Sequence, residues 1–132
     1  FRRGGFATIA PQEGGKVHGL LWSITPECER SLDMYEGYPR FYDKRTVTVR
    51  DGLGQELPVM AYIMDERFRE PMLPTEPYYN GILEGYRQNS LPVHALKAAW
   101  QHCVQEVERE TAQINRKAFA YMKRKTGKQH ER

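Results

Sequence analysis

The sequence predicts an α+β fold, with strands gathered in the first half of the chain and helices in the second. Three observations carry that expectation. Up to residue 64 the apolar residues fall mainly in short, often β-branched runs broken by glycine-containing turns. From residue 78 onward they recur at three- and four-residue spacing. The two patterns do not alternate along the chain as a doubly wound parallel sheet requires. The 132 residues suit one domain large enough for a true core, read here as residues 1–125 with a basic tail over 126–132.

Phe6-Ala7-Thr8-Ile9-Ala10 reads as a first strand ended by Pro11, and Gln12-Glu13-Gly14-Gly15 as the turn into a second, Lys16–Ile24. The second is apolar over its last half, as a buried strand should be, and the two are expected to pair antiparallel. A helix follows from Pro26 to Tyr35: Thr25 is a natural N-cap, Pro26 suits the first helical position, and Glu27 complements the positive end of the helix dipole. Leu32 and Tyr35 are expected on its packed face, with Asp33 pointing elsewhere. Phe41–Arg50 and Leu57–Met64 flank the turn signal Asp51-Gly52-Leu53-Gly54 and predict a hairpin. Asp65–Glu70 is charged, and Pro71, Pro74 and Pro77 exclude regular helix, predicting an ordered loop or lid. Tyr78–Gln88 has helical spacing and is broken by Asn89-Ser90-Leu91-Pro92. The stripe Leu96, Ala99, Trp100, Cys103, Val104, Val107 then predicts a long helix from Val93 to about Lys125. Beyond Glu108 its apolar positions thin to Ile114, Ala118, Phe119 and Tyr121, which predicts a half that projects, frays or packs on a partner chain.

Composition excludes several function classes. No apolar run approaches the roughly 20 residues a membrane-spanning helix needs. Cys28 and Cys103 stand too far apart for a metal knuckle, and two cysteines do not make a disulfide scaffold, so a reducing cytoplasmic setting is expected. His18, His94, His102 and His130 lack ligand spacing, and phosphate loops, dinucleotide fingerprints and nucleophile elbows are absent from the sequence. Neither a metal nor an organic cofactor is expected. Seven of the 20 Lys/Arg but one of the 17 acids lie from Arg116 onward, so residues 116–132 carry +6 and the preceding residues −3. A solvated tail on the negative end of the last helix accounts for that charge better than a nucleic-acid contact.

The stretch with chemical content is Leu32-Asp33-Met34-Tyr35-Glu36-Gly37-Tyr38-Pro39. Gly37 permits a left-handed stop and Pro39 prevents the helix from resuming. Glu36 is thereby fixed at a helix-to-loop corner among tyrosines, where apolar surroundings raise a carboxyl pKa and fit it for proton transfer.

Gly5-Phe6-Ala7-Thr8-Ile9, Val17-His18-Gly19-Leu20-Leu21-Trp22-Ser23-Ile24-Thr25 and Leu32–Tyr42, taken in order, resemble the γ-glutamylcyclotransferase-like (AIG2-like) family. Pro74-Thr75-Glu76-Pro77-Tyr78 and Gly85-Tyr86-Arg87-Gln88-Asn89-Ser90-Leu91-Pro92 resemble its Pro-Ser-x-x-Tyr segment and the helix and turn after it. The resemblance covers about residues 5 to 103. It implies a small mixed β-barrel flanked by helices, and Glu36 as the catalytic acid/base that releases 5-oxoproline from a γ-glutamyl amine, amino acid or peptide. It also implies substrate contacts from Tyr78 and Tyr42. The family's Tyr-Gly-Ser-Asn-type loop, whose backbone amides bind substrate, is not found at the N-terminal end. The chain starts at Phe1, and the resemblance implies an N-terminally incomplete member. A non-catalytic ligand-binding or interaction module on the same scaffold, including a homodimer through the last helix, is the second expectation.

Overall fold

A computed structural model describes residues 4–130. In chain order it contains α1 (Pro26–Glu36), β1 (Tyr42–Arg50), β2 (Glu56–Met64), a 3-10 turn (Glu66–Phe68), α2 (Glu76–Gln88) and α3 (Val93–His130). The chain has the expected α+β character and long C-terminal helix. Its described residues fall into two compact units, Ala7–Glu70 and the segments on either side of it.

The Ala7–Glu70 unit is built on the hairpin. Asp51 Oδ1 accepts hydrogen bonds from the Leu53 and Gln55 amides, both at 2.9 Å, and Gly54 takes φ 82° to close the turn. The turn sets the register that pairs Arg50 with Glu56, Lys44 with Tyr62 and Tyr42 with Met64. Tyr42 and Met64, 7% and 5% exposed, are the buried hydrophobic residues among those described. Ala7 and Thr8 lie along this base: the Tyr42 hydroxyl donates to the Ala7 carbonyl at 2.6 Å, and the Met64 amide to Thr8 Oγ1 at 2.9 Å. At the start of α1 the Cys28 amide donates to Thr25 Oγ1 at 3.1 Å, as a capping threonine should provide.

Two expectations are corrected. Phe6–Ala10 and Lys16–Ile24 do not form strands, although the Gln12–Gly15 turn between them is present. An apolar run becomes a strand only when a second strand accepts its ladder, and Thr8 meets the hairpin through its side chain instead. Trp22, placed by its pattern in a buried strand, is 78% exposed. Among the described residues the sheet has two strands and is an open hairpin, without the closure a barrel requires. Finally, Pro77 does not exclude helix: it sits in the first turn of α2, where its missing N–H has no intrahelical partner to lose, and Thr75 caps that turn.

In the other unit, the Gly5 amide donates to the Leu73 carbonyl at 2.8 Å. A Cβ at Gly5 would run into the Met72 carbonyl, so this close approach requires glycine. Tyr79 of α2 and Trp100 of α3 meet with ring centroids 6.4 Å apart. Helix α3 continues past the expected Lys125 to His130, with no proline between Val93 and that point and Gly127 the first glycine. The last residues of the basic tail, Glu131 and Arg132, lie outside the described residues.

Candidate active site

Glu36 is the last residue of α1, and the chain turns immediately after it. Gly37 occupies the left-handed region (φ 66°, ψ 37°), its amide reaches the Met34 carbonyl at 3.3 Å, and the Tyr38 amide reaches the Asp33 carbonyl at 2.9 Å. These bonds satisfy carbonyls the helix end leaves open. The Phe41 amide then donates to the Gly37 carbonyl at 2.8 Å, tying the corner to the start of β1. Phe41 lies against Phe68 and Tyr42, each at 5.1 Å between centroids. The Tyr38–Pro39 peptide is cis.

Glu36 is half-buried. Desolvation pushes its carboxyl pKa above the ordinary glutamate value. A carboxyl perturbed by loss of water is the kind of group that can accept and return a proton near neutral pH. Tyr35 beside it is 83% exposed, so the expected packing face through Tyr35 is not the one α1 uses.

The face α1 uses is that of Asp33. Its Oδ1 accepts from the Tyr62 hydroxyl at 2.5 Å and its Oδ2 from Lys44 Nζ at 2.9 Å. Lys44 also donates to Glu29 Oε2 at 2.8 Å and stands 4.3 Å from the centre of the Tyr38 ring. Tyr62 and then Lys44 hold the Asp33 carboxyl below the usual range. Hydrogen bonds to Glu29 and Asp33 raise the Lys44 pKa, and burial with the Asp33 bond pushes the Tyr62 phenol up to about 12. At neutral pH all three hold the protonation states that favour the cluster. It anchors α1 to one face of the hairpin three residues before Glu36. Sequence reasoning missed this cluster. The available signal was the turn, since a register that pairs Arg50 with Glu56 also pairs Lys44 with Tyr62.

The other two expected site residues have distinct settings. Tyr42 shares the Ala7–Glu70 unit with Glu36, and its hydroxyl is engaged with the Ala7 carbonyl. Tyr78 belongs to the other unit, where it meets Phe6 edge-on at 5.3 Å in the first turn of α2. A separate, largely apolar groove of about 500 Å³ is lined by Leu73, Pro74, Glu76, Tyr79, Lys97 and Trp100. Among the described residues no cluster of His, Cys, Asp or Glu could hold a metal ion.

The model of the family described as gamma-glutamyl cyclotransferase, AIG2-like matches residues 1–81, more than half of the sequence. The chain belongs to this family. It is similar to gamma-glutamylcyclotransferase of Bos taurus, at 33% identity over 95 residues that cover 71% of this chain and 50% of the bovine protein. The Homo sapiens gamma-glutamylcyclotransferase is 32% identical over 91 residues, 68% of this chain and 47% of the human protein. The chain spans about half the length of these curated relatives. No solved structure matches it significantly. The family match takes in Glu36, Tyr42, Tyr78 and the Asp33–Lys44–Tyr62 cluster, and it ends within α2; α3 lies wholly beyond it.

Proposed function

We propose that the complete protein is a γ-glutamylcyclotransferase that releases 5-oxoproline from a γ-glutamyl amine, amino acid or small peptide, with Glu36 as its single acid/base. The observation that carries the proposal is Glu36 itself: a half-buried, desolvated carboxyl held at a left-handed helix stop, within the segment that matches the family.

The chemistry needs one proton carrier and a folded substrate. The Glu36 carboxylate removes a proton from the substrate's α-ammonium. The freed amine attacks the γ-carbonyl carbon of the same molecule, and a carbon–nitrogen bond closes the five-membered ring. Glu36, now protonated, gives that proton to the departing nitrogen as the original amide bond breaks, and the regenerated carboxylate takes the second proton of the ring nitrogen and passes it to the released amine, leaving 5-oxoproline and the amine as its ammonium ion. Attack within one molecule makes orientation a large part of the rate, so the protein's main tasks are to hold the γ-glutamyl group folded and to place one carboxyl beside both nitrogens.

Tyr78 and Tyr42 are each proposed to contact substrate. The open hairpin is proposed to join the small mixed β-barrel of the complete protein, and the exposed Trp22 and Tyr35 supply apolar surface for further chain to cover. The test is to incubate the protein expressed from its complete gene with a panel of γ-glutamyl amines, amino acids and dipeptides and to detect 5-oxoproline by mass spectrometry. Stoichiometric 5-oxoproline and free amine from at least one member supports the proposal. A folded protein that binds members of the panel without converting any would replace it with the binding-module reading.

A further inference from the structure

Helix α3 changes character after Glu110. That residue is the last acid of the helix, following Glu106 and Glu108, whereas Arg116, Lys117, Lys123, Arg124 and Lys125 fall within residues 111–127. Every residue of 111–127 is exposed, a length of about 25 Å at 1.5 Å per residue. The negative end of a helix acts over its last turn, so it does not account for Arg116 and Lys117, more than three turns before His130. A helical stretch of this size is marginal in water by itself, because helices in proteins draw most of their stability from packing one face.

The stretch is amphipathic about its axis. At about 100° per residue, Tyr121, Ile114, Ala118, Met122 and Phe119 fall in that order over an arc of about 160°. Phe119, Met122, Ile114 and Tyr121 are 71%, 66%, 59% and 59% exposed. Arg116 and Lys123 border the arc beyond Phe119, and Lys117 and Arg124 border it beyond Tyr121. Asn115, Lys125 and Thr126 lie inside it, and the methylene stem of a lysine so placed carries its ammonium out to polar surroundings. The opposite side holds Gln113, Ala120 and Gly127.

We propose that residues 111–127 of α3 form a peripheral membrane-binding helix that lies in the interface of an anionic lipid bilayer. Ile114, Phe119, Tyr121 and Met122 enter between the headgroups, and Arg116, Lys117, Lys123 and Arg124 pair with lipid anions along both sides. An apolar arc bordered on each side by cations is the pattern of a helix that seats face down at a bilayer surface. A duplex nucleic acid held by the same cations would leave the apolar arc in water, whereas the bilayer interface covers both at once. The charge selects an anionic leaflet, and the three glutamates before residue 111 mark where repulsion ends the contact. The helix lies along the surface: among the described residues no helix is long and apolar enough to cross a membrane. The proposal does not rest on the cyclotransferase reading, because α3 lies outside the family match.

Flotation of the complete protein with vesicles tests this, comparing phosphatidylcholine alone with equal parts phosphatidylcholine and phosphatidylserine, and circular dichroism confirms that each variant is folded. The wild-type protein is expected to float with the mixed vesicles only, and less so as salt is added. Lys123→Gln/Arg124→Gln/Lys125→Gln should weaken that binding about a hundredfold, at roughly fivefold for each cation near the surface. Ile114→Gln/Phe119→Gln/Met122→Gln leaves the charge unchanged and should weaken it about tenfold or more, because the apolar side chains no longer enter the interface. Absence of flotation at ~1 mM accessible lipid, about ten times the concentration that half-saturates a single myristoyl anchor, overturns the proposal. So does equal binding to both kinds of vesicle. Tighter binding to duplex DNA than to the mixed vesicles would overturn it in favour of a nucleic acid. An apolar triple variant that floats like the wild type would also overturn it, and if that variant sediments differently without lipid, the arc belongs to a protein partner.

Discussion

The Tyr62 hydroxyl lies 2.5 Å from Asp33 Oδ1, and this bond joins β2 to the helix that ends on Glu36. Lys44, directly across the hairpin from Tyr62, takes the other oxygen of the same carboxylate. A cross-strand pair thus grips a residue three positions ahead of the proposed acid/base, nearly one helical turn away. The position of Glu36 is therefore a property of the hairpin as much as of its own helix.

Tyr62→Phe keeps the ring and deletes the hydroxyl, so it should cost about 1 kcal/mol, the usual net worth of such a hydrogen bond. Lys44→Met should act in the same direction and should also release Glu29. Thermal unfolding followed by circular dichroism measures both. Melting temperatures unchanged in both variants would show that the cluster does not dock α1.

Asp33 should also leave a signature in pH. Its folded-state pKa is lowered, so its stabilising contribution is fully present above the unfolded value of about 3.9 and is lost as pH falls through the folded value. The stability difference between wild type and Asp33→Asn should therefore be level from pH 7 to about 5 and shrink below about pH 4. Urea unfolding at a series of pH values checks this, and a difference that grows on acidification would contradict it.

The Glu36 corner was legible in the sequence because its causes are local. Thr25, Pro26 and Gly37 each act within a few residues, and all three occupy the positions their chemistry predicts. The hairpin was legible from Asp51 and Gly54, and α3 from its stripe. The apolar run around Trp22 misled because strand formation depends on a second strand, which no pattern within the run can report. Asp33 misled because its partners come from β1 and β2, so its role needs the hairpin register and the docking of α1 together. Reading Pro77 as a helix breaker ignored that a first-turn proline removes no helical hydrogen bond.

Gly37 sets the corner by its left-handed backbone, and a Cβ there would stand 3.1 Å from the Phe41 Cβ. Gly37→Ala should thus cost about 1–2 kcal/mol, the penalty for a side chain in that region. It should also lower kcat more than it raises KM, since it moves the proton carrier and leaves the substrate contacts in place. Steady-state kinetics on the best γ-glutamyl substrate separates the two; a pure KM effect would assign the corner to binding.

The raised pKa of Glu36 fixes the direction of the acid limb of activity. The carboxyl must be ionised to take the substrate proton, so kcat/KM should fall on acidification with a midpoint above the ordinary glutamate value of about 4.3. A limb at or below that value would mean that a different group governs the step.

The most direct test of the account is the single-turnover rate of 5-oxoproline formation by Glu36→Gln, measured on the complete protein alongside substrate binding by calorimetry. Glutamine keeps the shape of the side chain and cannot carry the proton. The account predicts a rate lowered about 10²–10⁴-fold, the usual contribution of a general acid/base, with the dissociation constant changed by no more than a few-fold. A variant that binds and turns over like the wild type would contradict it.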